Sequence, residues 1–305
     1  MIWSLLLSLA AAGAQAPPAP ALPGRESDGR VAQVTFRLTT AARARCASTE
    51  TSAGLVVQHL SQFGLADRPG MATAAALDRG PGIAAIVPGG PAAIAGIEAG
   101  DVLLAIHGVA VPPESALDRP FDARRAHARA DLIDDLLTSA APLSLDLLRH
   151  GAHLHLTVSP RPACTARVRL ARSRQRNAYA DGRHVFLTTG LLALLRSDDE
   201  VAFVIAHELA HNQLGHAALL RDAGVGHGLG RTLGRRGRVV RGSEQAADEF
   251  AGEMMLDAGF DPVAGAQLLP RLGSGDLGIA LFASHASDKD RVEAMRRLVV
   301  ARAVR

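Results

Sequence analysis

Aromatic side chains are scarce. Trp3 is the one tryptophan and Tyr179 the one tyrosine in 305 residues. A protein that grips single-stranded nucleic acid stacks bases on such rings. No zinc-finger or helix-turn-helix pattern takes their place, so nucleic acid is not an expected partner. Lysine is rarer than expected too: Lys289 stands alone, and every other basic side chain but histidine is arginine. The net charge of +3 is small. The basic character comes from arginine, which does not titrate, and not from a strongly basic surface. Long apolar runs are missing as well. Residues 2–12 are apolar but too short to span a bilayer comfortably. Cysteine is limited to Cys46 and Cys164, an even pair that suits an oxidising compartment.

The short apolar run is followed by Ala12-Gly13-Ala14 and Ala14-Gln15-Ala16, two small-residue cleavage sites. Residues 1–16 are therefore expected to be a signal peptide cut near Ala14 or Ala16, giving a periplasmic or secreted protein. No Lys or Arg precedes the run, which leaves an N-terminal membrane anchor as the alternative. No cysteine stands at the cut, so no lipid is expected there. The remaining composition, 48% hydrophobic and 21% charged, is that of a globular protein. Its length suits two modest domains.

Residues 17–30 are rich in proline and glycine and read as a flexible lead-in. Residues 31–39, "VAQVTFRLT", alternate like a strand. Residues 17–51 thus read as a linker and a first strand. A segment with its own logic follows. "GIAAIVPGGPAAIAGIEAGDVLLAIHGVAV", from Gly82 to Val111, predicts strand, turn, short helix, turn, strand and turn, punctuated by Gly89-Gly90-Pro91 and Gly100-Asp101. Residues 131–140 predict an amphipathic helix. Two alternating stretches around His150-Gly151 predict a hairpin.

On Val87-Pro88-Gly89-Gly90-Pro91-Ala92, Ala95-Gly96-Ile97, Gly100-Asp101-Val102-Leu103, Ile106, Gly108 and the late Arg149-x-Gly151, this segment resembles a PDZ domain of the bacterial protease type. The resemblance implies binding of an extended peptide tail or strand at a sheet edge. Gly80-Pro81-Gly82-Ile83 is the candidate for its carboxylate-binding loop. Residues 52–160 are assigned to this unit and residues 161–305 to a second one, mostly helical apart from one strand region over residues 178–188.

In the second unit Ser197 and Glu200 form a capping box that opens a helix running to about Leu214. His207 and His211 lie four apart on it, so both imidazoles leave one face. With Glu208 they make H-E-x-x-H, in which the histidines hold zinc and the glutamate is general base. Zinc favours imidazole and carboxylate in a tetrahedral set with one position left for water. A third ligand is needed. Position 217 is alanine, so the longer H-E-x-x-H-x-x-G-x-x-H pattern fails. His216 falls on another part of the helix and reads as structural or as support for a ligand. The carboxylates of "SEQAADEF" remain: Ser243 reads as an N-cap, and Glu244 and Asp248 lie four apart on one face. One can complete the site while the other hydrogen-bonds a ligand imidazole.

Four motifs in order make residues 164–297 resemble the HtpX-type zinc peptidases, a gluzincin family that includes the CAAX prenyl endopeptidases and the mitochondrial Oma-type proteases. They are "NAYADGRHVFLTTGLL", His207-Glu208-x-x-His211, Glu244-x-x-Ala247-Asp248, and His285 with Arg291 six later. The resemblance implies zinc on His207, His211 and Glu244. It implies Glu208 as the base, Asp248 beside a ligand, and His285 and Arg291 supporting substrate or transition state. Ala286 stands where the family has proline. By resemblance, the backbone near Asn177 offers a sheet edge to substrate. The family's transmembrane helices have no counterpart in the mature chain. Residues 224–242, rich in glycine and arginine, are expected to be a loop: solvated, a lid over the cleft, or a peripheral contact with anionic lipid.

The expected fold class is α+β: a mainly helical zinc-peptidase core with a small sheet, and a β-rich PDZ-like unit inserted in it. A Cys46–Cys164 disulfide would clamp the base of the insertion. The expected activity is zinc-dependent endopeptidase action on exported, unfolded or misfolded polypeptides, selected or regulated by the PDZ-like unit. The alternative is a PDZ adaptor or chaperone-like factor whose metal site is latent.

Overall fold

The computed structural model describes residues 25–114, 118–139, 142–225, 234–272 and 288–304. The expected signal peptide lies outside the described residues. The chain begins with α1 (Arg25–Ala41), a helix where alternation predicts a strand. The reason is burial on two sides. Val31, Val34 and Leu38 follow helical spacing into the core of the second unit, while Phe36 rests against Gly54 of the PDZ-like unit. Alternating Val34, Phe36 and Leu38 therefore imitate a strand.

Next come β1 (Thr49–Ser52), β2 (Leu55–Gln58), α2 (Arg68–Ala75), β3 (Gly82–Ile86), α3 (Pro91–Ile94), β4 (Val102–Ile106), β5 (Val109–Ala110), α4 (Ala123–Thr138), β6 (Leu143–Arg149) and β7 (Ala152–Val158). Strands β2, β3, β4, β6 and β7 lie in that order in one sheet, with β5 beside β4. Leu143, Leu145 and Leu147 alternate inward along β6 and meet Ile83, Leu103 and Ile133 in a separate core. The β6–β7 turn has φ of 49° at His150 and 85° at Gly151, the two positive values a type I′ hairpin needs. Arg149 forks onto Asp101 at 2.6 and 2.7 Å, tying the end of β6 to the turn before β4. Asp101 is almost fully buried, so this pair is charge-assisted and sheltered.

Two expectations for this unit change. The helix starts well before Asp131, because the Asp122 carboxylate accepts the Arg125 N–H at 3.0 Å and caps it there. The loop at Gly80-Pro81-Gly82-Ile83 leads into β3, which has a strand on each side. The edge strands are β7 and β2, the latter preceded by Ser52, Ala53 and Gly54. That loop is pinned by Val87 N–H on Gly54 O at 2.8 Å and Ala92 N–H on Ala53 O at 2.9 Å.

The remainder comprises β8 (Arg161–Cys164), β9 (Arg167–Ala171), β10 (Ala178–Ala180), β11 (His184–Thr188), α5 (Thr189–Leu192), α6 (Asp198–Gln213), α7 (His216–Asp222), α8 (Gly234–Asp257), α9 (Pro262–Ala266), α10 (Leu269–Leu272) and α11 (Asp288–Ala303). The architecture is α+β. Strands β8 and β9 were not expected; their arginines hide an apolar alternation. β8 pairs with β1, Thr49 opposite Cys164, and Cys46 and Cys164 are bonded with Cα atoms 5.6 Å apart. The chain thus enters and leaves the PDZ-like unit through one stapled two-stranded ladder. β10, β11 and β9 form a second sheet in that order.

Helix α6 has no solvent face over Val201 to Ala206: all six residues are buried, and the helix threads the core. Ser197 Oγ accepts the Glu200 N–H at 3.3 Å, whereas the Glu200 carboxylate takes the Arg196 N–H at 2.7 Å, so only half of the expected box forms. Helix α8 also corrects an expectation. Ser243 is inside it, not at its start, and its hydroxyl donates to Val240 O at 2.8 Å. The expected loop over residues 224–242 is helical from Gly234, since arginine is a good helix former and Val240 is buried. Residues 226–233 lie outside the described residues. Among the described residues no helix is long and apolar enough to cross a membrane.

Candidate metal centre

The zinc-ligand candidates come from two packed helices. α6 supplies His207 and His211 one turn apart, and α8 supplies Glu244. Their ligand atoms make a near-equilateral triangle. His207 Nε2 to His211 Nε2 is 3.2 Å, His207 Nε2 to Glu244 Oε2 is 3.3 Å, and His211 Nε2 to Glu244 Oε2 is 3.4 Å. Ligands about 2.0–2.1 Å from one tetrahedral ion sit about 3.3–3.4 Å apart. The residues therefore fit zinc in number, type and spacing. Among the described residues this is the one such trio of metal-binding side chains.

Each imidazole is oriented from behind. His207 Nδ1 lies 2.9 Å from Asp248 Oδ1, which leaves Nε2 with its lone pair towards the triangle. Asp248 is held in turn by Arg291, whose Nε donates to Oδ2 at 2.7 Å and whose Nη2 donates to Oδ1. This reach depends on Gly252. A Cβ there would stand 2.5 Å from Leu298 and 3.0 Å from Met295 of α11, the helix that carries Arg291. Burial pushes the Asp248 carboxyl up, but the hydrogen bonds from His207 and Arg291 outweigh it and hold it below its ordinary range. Glu244 is likewise pushed up by burial and held down more strongly by His207 and His211. Both stay ionised, as a zinc ligand and the acceptor supporting one must.

His211 has a different support. Gly215, with φ of 66°, ends α6 and turns the chain so that His216 opens α7 with its Nδ1 2.8 Å from His211 Nδ1. Burial first, then the neighbouring His211, push His216 down to about 4, so it is neutral and can accept the His211 N–H. Replacing His216 with alanine is expected to weaken zinc binding about 10–100-fold, with His216→Asn recovering part of the loss through its amide oxygen. Competition with a chelating dye measures both.

Glu208 points into the same centre at 1% exposure. It accepts the backbone N–H of Ala180 on β10, and Oε2 has no protein partner among the described residues. Burial raises its carboxyl above the ordinary range. A carboxylate with one oxygen anchored and one uncommitted, beside a metal triangle, can exchange a proton with a water there.

The structure thus gathers His207, Glu208, His211, Glu244 and Asp248 in one place. Arg291 joins them behind Asp248, at 3% exposure, so it acts on a ligand through Asp248. His285 lies outside the described residues. Ala180 on Glu208 was not read from the sequence, being a backbone contact with no side-chain signature. His216 takes the supporting place read for it, and Gly215, a residue suited to a left-handed helix end, brings it onto His211.

Residues 155–226 match peptidase family M48, and residues 82–119 match a PDZ domain. No curated protein matches the chain. Among solved structures, the HtrA3 PDZ domain bound to a phage-derived ligand is 17% identical. It covers 37% of this chain and 88% of its own, with a TM-score of 0.26. The HtrA-type protease AlgW with a decapeptide is 24% identical, covering 37% of this chain and 30% of its own, with a TM-score of 0.25. The chain thus carries a segment that matches peptidase family M48 and, ahead of it, one that matches a PDZ domain.

Proposed function

We propose that the protein is a zinc-dependent endopeptidase that cleaves exported, unfolded or misfolded polypeptides. The PDZ unit, residues 52–160, is inserted in the peptidase and selects or regulates. The observation that carries this reading is the ligand triangle of His207, His211 and Glu244 with the uncommitted Glu208 carboxylate beside it. Zinc held there supplies Lewis-acid polarisation of a water and of the substrate carbonyl. Glu208 takes the water's proton and returns it to the leaving amine. Asp248 and His216 keep the two imidazoles in the tautomer that binds metal. Strand β10 is one of the two outer strands of its sheet, and Tyr179 on it is exposed. Substrate backbone can pair along that edge with little demand on sequence. An export signal over residues 1–16 and the Cys46–Cys164 bond favour an oxidising compartment such as the periplasm.

The test is proteolysis of unfolded casein by the purified mature chain. Cleavage should stop on chelation and return on adding zinc. Zinc-independent cleavage would sink the reading.

A further inference from the structure

Strand β2 is one edge of the PDZ sheet, β7 the other, and an extended peptide adds to such an edge. Here the space beside it is already walled. β2 and α4 line one side, the latter with Ile133 and Leu137. The peptidase lines the rest: α1 with Val31 and Phe36, and β9 with Val168. What remains is a cavity of about 180 Å³. Pockets that take even a small ligand measure roughly 300–1,000 Å³, so a strand of several residues does not fit. The space, partly open to solvent, is not a finished core either: His59, at the end of β2, is 1% exposed, and its Nε2 has no protein partner among the described residues.

On the α1 side the closing contact is close packing, with Phe36 on Gly54 and Gly29 on Ala85; on the α4 side it is ionic. Asp131, Asp134 and Asp135 share one face of α4 by helical spacing. Facing them are three arginines and a histidine from β9, β11 and the turn before it. Arg167 Nη2 lies 2.9 Å from Asp135, Arg169 Nη2 lies 3.0 Å from Asp131 and also meets Asp134, Arg183 Nη2 lies 3.2 Å from Asp135, and His184 Nε2 lies 2.9 Å from Asp131. Arg167 and Arg169 are mostly buried, so this is a shared network and not a set of isolated surface pairs. The stapled ladder of β1 and β8 ends at the same cavity, which Cys164 lines. The ladder and its disulfide tether the unit to the rest of the chain.

We infer that the ion pairs between α4 and the β9–β11 sheet are a latch that holds the PDZ peptide groove shut against the peptidase's own α1 and β9. An extended polypeptide tail must displace that contact to add to β2. The strand that closes the groove also belongs to the sheet of β10, whose Ala180 holds Glu208. The inference rests on reading residues 52–160 as a PDZ unit; it does not require that the centre hydrolyse peptides.

The test is hydrogen exchange followed by mass spectrometry on the full mature chain and on the variant Asp131→Asn/Asp134→Asn/Asp135→Asn. Exchange over β2 and α4 should quicken about tenfold in the variant while α6 is unchanged. The wild-type chain, moved from about 0.05 to about 0.5 M NaCl, should show a smaller quickening in the same segments, because salt screens the exposed Arg183–Asp135 pair more than the buried arginines. That arm keeps the test open if the variant folds poorly. Unchanged β2 exchange in both arms overturns the latch, and so does exchange that rises equally in α6. An inactive peptidase leaves this readout intact, so the two failures are distinguishable.

Discussion

Replacing Glu208 with glutamine is expected to lower casein cleavage by about a thousandfold while the protein keeps its zinc. Glutamine has the same size, so it fits a position that is 1% exposed. Its carbonyl oxygen still accepts the Ala180 N–H, and His207, His211 and Glu244 are untouched. The one thing removed is an oxygen that can take and give a proton. Parallel assays of cleavage and zinc content separate this from loss of the metal. Full activity in the variant would place the base elsewhere. If neither protein cleaves while both hold zinc, the peptidase reading gives way to the PDZ adaptor with a latent site.

Removing the disulfide with Cys46→Ser/Cys164→Ser is expected to be the costliest change for stability. The bond closes a loop with a sequence separation of 118. Chain entropy alone gives about 5 kcal/mol for a loop of that size, and strain or residual structure usually trims it, so about 3–5 kcal/mol is expected. In a chain this long that is roughly a 10 °C fall in melting temperature. Cys164 lies in the main core beside Val185 and Leu187 as well as in the ladder, so the serine also puts a hydroxyl among apolar neighbours. Melting curves of the variant and of reduced wild type should agree. A loss under about 1 kcal/mol would mean that β1, β8 and the packing of α1 already bring the ends together without the bond.

Much of the site was legible because it is written locally. His207 and His211 are four apart on an apolar helix, and four-residue spacing means one face. The carboxylate at Glu244 was legible from spacing to Asp248 together with the family pattern. What was hidden was set by tertiary contact. Residues 31–39 alternate because α1 is buried on two sides, and local periodicity cannot tell that from a strand. Arg167 and Arg169 gave β9 a charged look because their partners sit on α4, far off in sequence. Ser243 looked like a cap by residue type, yet Gly234 to Gly242 keeps the helix going before it. Arg291 looked like a group for substrate, and its place behind Asp248 follows from the close approach of two helices at Gly252.

The position of α1 also has a consequence in time. It is made before the other described elements, but α6 and α8, which help bury Val31, Val34 and Leu38, are made only after the whole PDZ-like unit. At synthesis rates of about 5–20 residues per second, α1 is exposed for roughly 10–30 s before α6 exists. The sheet of the insertion is complete earlier. It already offers α1 a surface: Ala85 under Gly29, Gly54 against Phe36, and the Gln58 amide on Asp28 at 2.7 Å. Helix α1 thus meets the PDZ-like sheet before it can meet its own core. The segment that separates α1 from that core in sequence serves, during synthesis, as the place where the helix waits.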